Sequence, residues 1–259
     1  MKRILAGAMA AGLMFAATVA AADIEYWVGP DRDGSGQGTG QSGLGHVINS
    51  HILGLPYAED GSGYAVEADD QYEPDEIWYP GDEASATLVF EFAGYRDGNS
   101  FGMYTDDGTP YEIFAGTDDL EDEAVVDFGA TQTTVEVTHD GVTSTTTHDV
   151  GLGDGFGFYL DVGYTGQRFY SEQGRNVDGA DHMVAFNLSA FPGHEKDFVI
   201  GWEDLTFPNT DKDYNDMILT VSNVHTVPEP ATYALLGIGL ACMAAFVGLR
   251  RKRVTVKND

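Results

Sequence analysis

Residues 133–147 read T-T-V-E-V-T-H-D-G-V-T-S-T-T-T, the clearest β pattern in the chain. Two runs rich in Thr and Val flank the dipeptide Asp140-Gly141. β-Branched residues favour extended strands, and Asp-Gly favours a tight turn because both residues tolerate positive φ angles. The stretch therefore predicts a β-hairpin.

Short runs in which apolar residues alternate continue this β pattern on both sides of the hairpin. Positions 86, 88, 90 and 92 share one face of Ala86–Phe92, and positions 198, 200 and 202 share one face of Asp197–Trp202. The predicted strands are 86–92, 131–138, 142–147, 155–160, 183–190, 197–203 and 217–224. The side chains predicted to be buried are Phe90, Phe158, Phe186, Ile200 and Leu219. Many short strands with Gly and Asp turns, and almost no helical pattern, predict an all-β fold, a β-sandwich of the jelly-roll kind.

The C-terminal end carries three features in order. Pro228-Glu229-Pro230 precedes an uncharged apolar run of 19 residues, 231–249, and the basic cluster Arg250, Arg251, Lys252 and Arg253 follows. As a helix this run spans ~28 Å, about the thickness of a bilayer core, and the basic end favours the cytoplasmic side. Residues 227–253 resemble the PEP-CTERM sorting signal of exported bacterial proteins. The resemblance implies processing by a membrane-embedded exosortase and passage to the cell surface or the exopolysaccharide matrix.

The N-terminal end carries a second targeting pattern. Lys2 and Arg3 precede the apolar stretch 4–19, and Ala20-Ala21-Ala22 precedes Asp23. This is typical of a secretory signal peptide cleaved after Ala22. The predicted organisation is a signal peptide (1–22), an acidic, Gly-rich part (23–85), a β-sandwich domain (86–226) and the sorting signal (227–253), whose transmembrane helix (231–249) anchors the chain in the inner membrane until processing.

The charge of the exported part limits its partners. Residues 23–226 hold six of the 13 basic residues and 40 of the 42 acidic ones, a formal charge of −34. Such a charge repels phosphates, so nucleic acid is excluded as a partner, whereas divalent cations are compatible with it. The single cysteine, Cys242, lies in the tail. The exported part therefore has no internal disulfide, no Cys-ligated zinc and no thiol nucleophile.

A second resemblance covers residues 86–224. It is carried by 156–160 (FGFYL), 181–186 (DHMVAF), 202–205 (WEDL) and 211–216 (DKDYND), with 90–95 and 99–104 upstream. Together these segments are similar to the exported domain called "domain of unknown function 4114", which often accompanies this sorting tail. The resemblance implies a β-rich fold and export, and it supplies no activity.

The densest group of acidic residues lies between Glu203 and Asp216. The candidate cation ligands there are Glu203, Asp204, Asp211, Asp213, Asn215 and Asp216. Ca²⁺ takes six to eight oxygen ligands, but the segment departs from the EF-hand pattern, because Asp216 and Ser222 stand where Gly and Glu belong. Two interpretations stay open: a calcium loop between two strands, or turn and capping hydrogen bonds. For a second acidic stretch, 31–36, a flexible loop is favoured.

Signals of catalysis are weak. Asp181-His182 offers a base with an orienting carboxylate, but such a histidine is more often a structural hydrogen-bond partner. The sequence therefore favours a non-enzymatic structural or binding protein of the cell surface or exopolysaccharide matrix, with calcium as its candidate cofactor. The alternative is a carbohydrate-binding or carbohydrate-active module that acts on extracellular polysaccharide.

Overall fold

The computed structural model describes residues 24, 43–56, 63–81, 98–105, 107–115, 122–149, 151, 155–210 and 212–226, and the backbone of 85–93. The predicted signal peptide, the stretch 31–36 and the sorting tail lie outside this part. The helices whose bounds lie within it are α1 (Leu44–His46), the π-helix Val47–Ile52, and the 3₁₀ turns Ala68–Asp70 and Gln173–Arg175. Within the same ranges, no helix is long and apolar enough to cross a membrane.

Strands dominate the described chain, so the all-β prediction is confirmed. In chain order they are β1 (Trp78–Pro80), β2 (Ser85–Ala93), β3 (Asn99–Tyr104), β4 (Pro110–Phe114), β5 (Glu123–Phe128), β6 (Thr133–His139), β7 (Val142–His148), β8 (Gly157–Val162), β9 (Gln167–Tyr170), β10 (Met183–Asn187), β11 (Asp197–Trp202), β12 (Met217–Ser222) and β13 (Val224–Thr226). All seven predicted strands are present, with ends that differ by up to three residues. The sequence patterns did not predict β1, β3, β4, β5, β9 and β13.

The strands pair antiparallel in three sheets. The largest has the order β10-β11-β12-β2-β5-β6-β7, the second β4-β3-β8-β9, and the third β1-β13. The predicted hairpin joins β6 to β7, where His139 pairs with Val142 across the two-residue turn. Asp140 (φ 50°) and Gly141 (φ 74°) both adopt the positive φ angles that the Asp-Gly dipeptide predicts.

One hydrophobic cluster joins the two larger sheets. Phe101 of β3 and Phe158 of β8 belong to the same cluster as Ile200 of β11 and Leu219 of β12. The Phe101 and Trp202 rings meet with centroids 6.2 Å apart. In a β-sandwich two sheets contribute side chains to one shared core, and the two larger sheets meet this requirement. The jelly-roll connection stays a prediction.

The opposite face of β10, β11 and β12 is also covered. Val184, Val199 and Ile218 pack there with residues of the segment 44–66, including Leu44 and Ile48. These three strands are therefore buried on both faces, which explains their nearly continuous apolar sequences. Of the five side chains predicted to be buried, Phe158, Phe186, Ile200 and Leu219 are fully buried, whereas the side chain of Phe90 lies outside the described part.

Candidate metal centre

The loop between β11 and β12 brings acidic residues together at one end of the large sheet. The two strands pair in a register that places Trp202 opposite Met217. The flanking residues Glu203 and Asp216 therefore lie side by side, and the Asp216 amide donates a hydrogen bond to the Trp202 carbonyl (3.1 Å). The register, rather than the spacing along the chain, brings their carboxylates together.

Three carboxylates meet at this point. Carboxylate oxygens of Glu203, Asp213 and Asp216 all lie within 4.8 Å of one another. The three residues are 1%, 2% and 8% exposed, and the neighbouring Asn215 is fully buried. We refer to Glu203, Asp213 and Asp216 as the loop cluster.

Backbone amides hold the loop cluster in place. The Tyr214 amide donates to Glu203 Oε1 (2.7 Å), and the Asp204 amide donates to Asp216 Oδ2 (2.9 Å). The Asn215 amide makes a longer contact with Asp213 Oδ1 (3.4 Å). One carboxylate accepts several hydrogen bonds or metal contacts, so these bonds are compatible with binding of a cation by the same carboxylates.

The backbone of the loop adopts an uncommon conformation. Lys212 (φ 57°) and Tyr214 (φ 51°) both lie in the left-handed region, which costs a non-glycine residue ~1–2 kcal/mol. Gly201 in β11 makes room for this path, since a Cβ at that position would overlap the Tyr214 carbonyl oxygen. The acidic spacing in the sequence gave no sign of this role for Gly201.

The six candidate ligands do not all face the same point. Asp204 is buried, but its carboxylate accepts hydrogen bonds from Asn99 Nδ2 and the Tyr164 hydroxyl (3.0 Å each). The Asp204 carboxylate is therefore not part of the loop cluster. The residue supports the cluster through its backbone amide, which donates to Asp216 Oδ2. Asp211 lies outside the described residues. The structure thus brings together Glu203, Asp213 and Asp216, with Asn215 beside them.

His182 pairs with Asp178 and not with its chain neighbour Asp181. Its Nε2 lies 3.1 Å from Asp178 Oδ2, and its Nδ1 lies 3.1 Å from the Glu203 carbonyl oxygen. The ring is fully buried and stacks on Phe169 at a centroid distance of 3.8 Å. Burial lowers the pKa of His182. The contacts are those of a structural histidine that ties the start of β10 to Glu203.

The donor set of the loop cluster suits a hard cation. Oxygens that bind one Ca²⁺ at ~2.3–2.6 Å lie no more than ~5 Å apart, and the three carboxylates meet this condition. The cluster offers oxygen and neither sulfur nor imidazole nitrogen, a set that suits Ca²⁺, Mg²⁺ or Mn²⁺.

Comparison with known proteins identifies two segments. Residues 137–223 match the family model described as "Domain of unknown function (DUF4114)", and residues 226–252 match the "PEP-CTERM protein-sorting motif". No curated protein and no solved structure matches the chain. The first match contains the whole loop cluster, and the two matches confirm the resemblances noted in the sequence. The chain therefore pairs a region similar to DUF4114 with a PEP-CTERM motif, which indicates an exported protein that an exosortase processes on its way to the cell surface.

Proposed function

We propose that this protein is a non-enzymatic, jelly-roll-like β-sandwich of the cell surface or the exopolysaccharide matrix that binds calcium at the loop cluster. The observation that carries the proposal is the convergence of the buried Glu203, Asp213 and Asp216 carboxylates. Their role is structural: the ion links both ends of the β11–β12 connection.

A cation offsets an electrostatic cost at this position. Buried carboxylates are costly unless a charge partner or hydrogen bonds compensate for the lost water. Three of them close together also repel one another. A divalent ion coordinated by all three relieves both effects, and the backbone bonds to Glu203 and Asp216 orient these ligands in advance.

Calcium fits the predicted compartment better than magnesium. Mg²⁺ demands near-octahedral geometry at short distances and keeps several of its waters, whereas Ca²⁺ accepts irregular carboxylate sites. Extracellular calcium modules bind with a Kd of about 10⁻⁴–10⁻³ M. We expect the loop cluster to bind calcium with a Kd in this range, as an extracellular protein does.

Thermal unfolding tests the proposal. A ligand present at a hundredfold excess over its Kd stabilises the folded state by ~2.7 kcal/mol, which raises the Tm of a domain of this size by ~5–10 °C at ~2–4 °C per kcal/mol. CaCl₂ should produce this rise, MgCl₂ much less, and NaCl of the same ionic strength only the effect of screening. The variant Asp213→Asn/Asp216→Asn should respond less to calcium.

A matched control is Asp140→Asn. This carboxylate lies in the β6–β7 turn, with 87% of its side chain exposed, and its loss should leave the calcium response unchanged. If calcium and sodium chloride act alike, or if the Asp213→Asn/Asp216→Asn variant responds as the parent does, the loop is only a turn.

The carbohydrate alternative rests on different features. Sugar binding favours exposed aromatic rings on one face of a sheet. Among the Phe, Tyr and Trp residues whose side chains the structure describes, Tyr164 is the exposed one, at 56%, and its hydroxyl is bound to Asp204. A single such ring does not favour sugar binding over calcium binding.

A further inference from the structure

A second group of carboxylates lies away from the β11–β12 loop, where the segment before β1 meets the start of β10. Oxygens of Glu73, Asp75 and Asp181 lie within 4.8 Å of one another. Asp75 and Asp181 are separated by 105 residues in the chain, and the fold alone brings them together. We refer to Glu73, Asp75 and Asp181 as the β10 cluster.

Each member of the β10 cluster has one buried carboxylate oxygen that lacks a hydrogen-bond partner. Asp75 is 1% exposed, and its Oδ2 accepts no hydrogen bond. The same holds for Glu73 Oε2 and Asp181 Oδ2, although both residues are only partly buried as a whole. Buried polar atoms in native proteins are nearly always satisfied. Unsatisfied oxygens on three carboxylates that lie this close together therefore indicate a missing ligand.

The framework around the β10 cluster is well fixed. The Tyr72 amide donates to the Ala185 carbonyl of β10 (2.7 Å), and the Trp78 indole donates to the Asp75 carbonyl (2.6 Å). The side chain of Gln71 donates from Nε2 to Glu73 Oε1, and the backbone amide of Met183 donates to Asp181 Oδ1. These contacts use one oxygen each of Glu73 and Asp181 and leave the other for a ligand.

The electrostatics of the β10 cluster favour a positive ligand. Burial, together with the repulsion of nearby carboxylates, raises the pKa of Glu73 and of Asp181 to about 7 and that of Asp75 well above its usual range. Glu76 adds a further negative charge to this surrounding, and its carboxylate accepts a hydrogen bond from the Gln173 amide. The group thus binds either protons or a cation more strongly than ordinary carboxylates do.

We infer that Glu73, Asp75 and Asp181 form a second binding site for a hard divalent cation, separate from the loop cluster and built by the segment before β1. The ligands are carboxylate oxygens alone, so the site suits calcium rather than a softer metal. An ion there joins residues 73–75 to the start of β10, as the one in the loop cluster joins β11 to β12. Tyr214 lies between the two clusters, because its amide donates to Glu203 Oε1 and its hydroxyl to the Asp181 carbonyl.

Counting bound ions tests this inference. The full-length chain, purified in a mild detergent and stripped of metal with a chelator, is dialysed against radioactive calcium. The pH is held at about 8, above the raised pKa values of Glu73 and Asp181, and calcium at about 5 mM, above the affinity range of extracellular modules. The parent chain should bind two ions.

Variants assign each ion to a cluster. Glu73→Gln/Asp181→Asn should bind one ion, and so should Asp213→Asn/Asp216→Asn, whereas the fourfold variant should bind none. Asp122→Asn is the matched control: this carboxylate is 5% exposed and contacts His139 outside both clusters, so the variant should still bind two. The single variant Asp181→Asn, nearly isosteric, is used if the double variant loses its far-UV circular dichroism spectrum.

The outcomes separate this inference from the proposed function. If the loop cluster binds nothing, the parent chain binds one ion, and Glu73→Gln/Asp181→Asn alone removes it. If the β10 cluster only shares protons among its carboxylates, neither Glu73→Gln/Asp181→Asn nor Asp181→Asn changes the number of bound ions, and the inference is overturned.

Discussion

Gly201 is a residue that the candidate metal centre depends on although it offers no ligand. A Cβ at this position would overlap the Tyr214 carbonyl oxygen and crowd Leu44. Gly201→Ala should therefore displace the loop that carries Asp213 and Asp216, with an overpacking cost of ~1–3 kcal/mol. We expect a lower Tm in metal-free buffer and a weaker calcium-induced rise, both measured by thermal unfolding.

Gly174 provides the control for this change. It lies in the 3₁₀ turn Gln173–Arg175, and a Cβ there meets nothing within 4 Å. Gly174→Ala should leave the Tm and the calcium response near those of the parent. A Gly201→Ala protein that binds calcium as tightly as the parent would show that the loop does not need this close approach.

The carboxylates of the β10 cluster predict a pH dependence of the metal-free protein. The pKa values of Glu73 and Asp181 rise to about 7 on folding, whereas those of ordinary carboxyls lie near ~4. The folded state thus binds more protons than the unfolded state between these values, and the free energy of unfolding falls as pH rises through this window. We expect a higher Tm at pH ~5 than at pH ~8.

The high net charge of the chain acts in the same direction, so a variant must separate the two effects. Glu73→Gln/Asp181→Asn removes two of the three carboxyls of the cluster and should reduce the slope, with the largest gain in Tm at the higher pH. Asp140→Asn removes an exposed charge in the β6–β7 turn and should not alter the slope. Equal slopes in the parent chain and Glu73→Gln/Asp181→Asn would show that Glu73 and Asp181 do not titrate in this window.

Single elements show what the sequence could predict and what it could not. The β6–β7 hairpin was predictable because its turn is a local property of Asp140-Gly141. β3 was not, because its burial is nearly continuous and hides the alternation of a half-exposed strand. β9 and β13 have four and three residues, too few for a periodic signal.

The two clusters also differ in how far the sequence alone could predict them. Glu203 and Asp216 flank strands that a hairpin-like register joins, so all three residues of the loop cluster lie in the acidic stretch from which the six candidate ligands were chosen. Asp75 and Asp181 meet only because the segment before β1 crosses to β10, with Gln71 bridged to Phe186. A contact across 105 residues leaves no local pattern, and the β10 cluster was therefore missed.

The turn of the β6–β7 hairpin can be tested by mutation. Gly141 has φ 74°, and a Cβ there meets no atom within 4 Å. Gly141→Val should therefore cost only the conformational penalty of a left-handed residue, ~1–2 kcal/mol. That corresponds to a fall in Tm of ~2–8 °C, with an unchanged calcium-induced rise because the hairpin lies apart from both clusters. The control Asp140→Asn should be neutral, since asparagine also tolerates positive φ. A Gly141→Val chain as stable as the parent would contradict the turn geometry.

At the scale of the whole molecule, the last described strand ends where the sorting motif begins. β13 ends at Thr226 and pairs with β1, where Thr226 lies opposite Trp78. The Thr226 hydroxyl also donates to the Tyr72 hydroxyl (3.1 Å). The motif match begins at residue 226, so removal of the chain beyond about Pro230 takes away no described strand. Processing of the tail is therefore compatible with a fully folded domain outside the cell.

This arrangement leads to a prediction about export. The mature protein should begin near Asp23 and end near Pro230, as measured by the intact mass of material recovered from the cell surface or the medium. Replacing Pro228-Glu229-Pro230 with alanines removes the feature that an exosortase is expected to read. The uncharged run 231–249 and its basic end should then hold the chain in the inner-membrane fraction.

Alanines at 254–256, beyond the matched motif, are the control and should leave export unchanged. Extracellular protein that retains Arg250–Arg253 would contradict removal of the tail, and normal release of the Pro228-Glu229-Pro230 variant would contradict the role of the tripeptide.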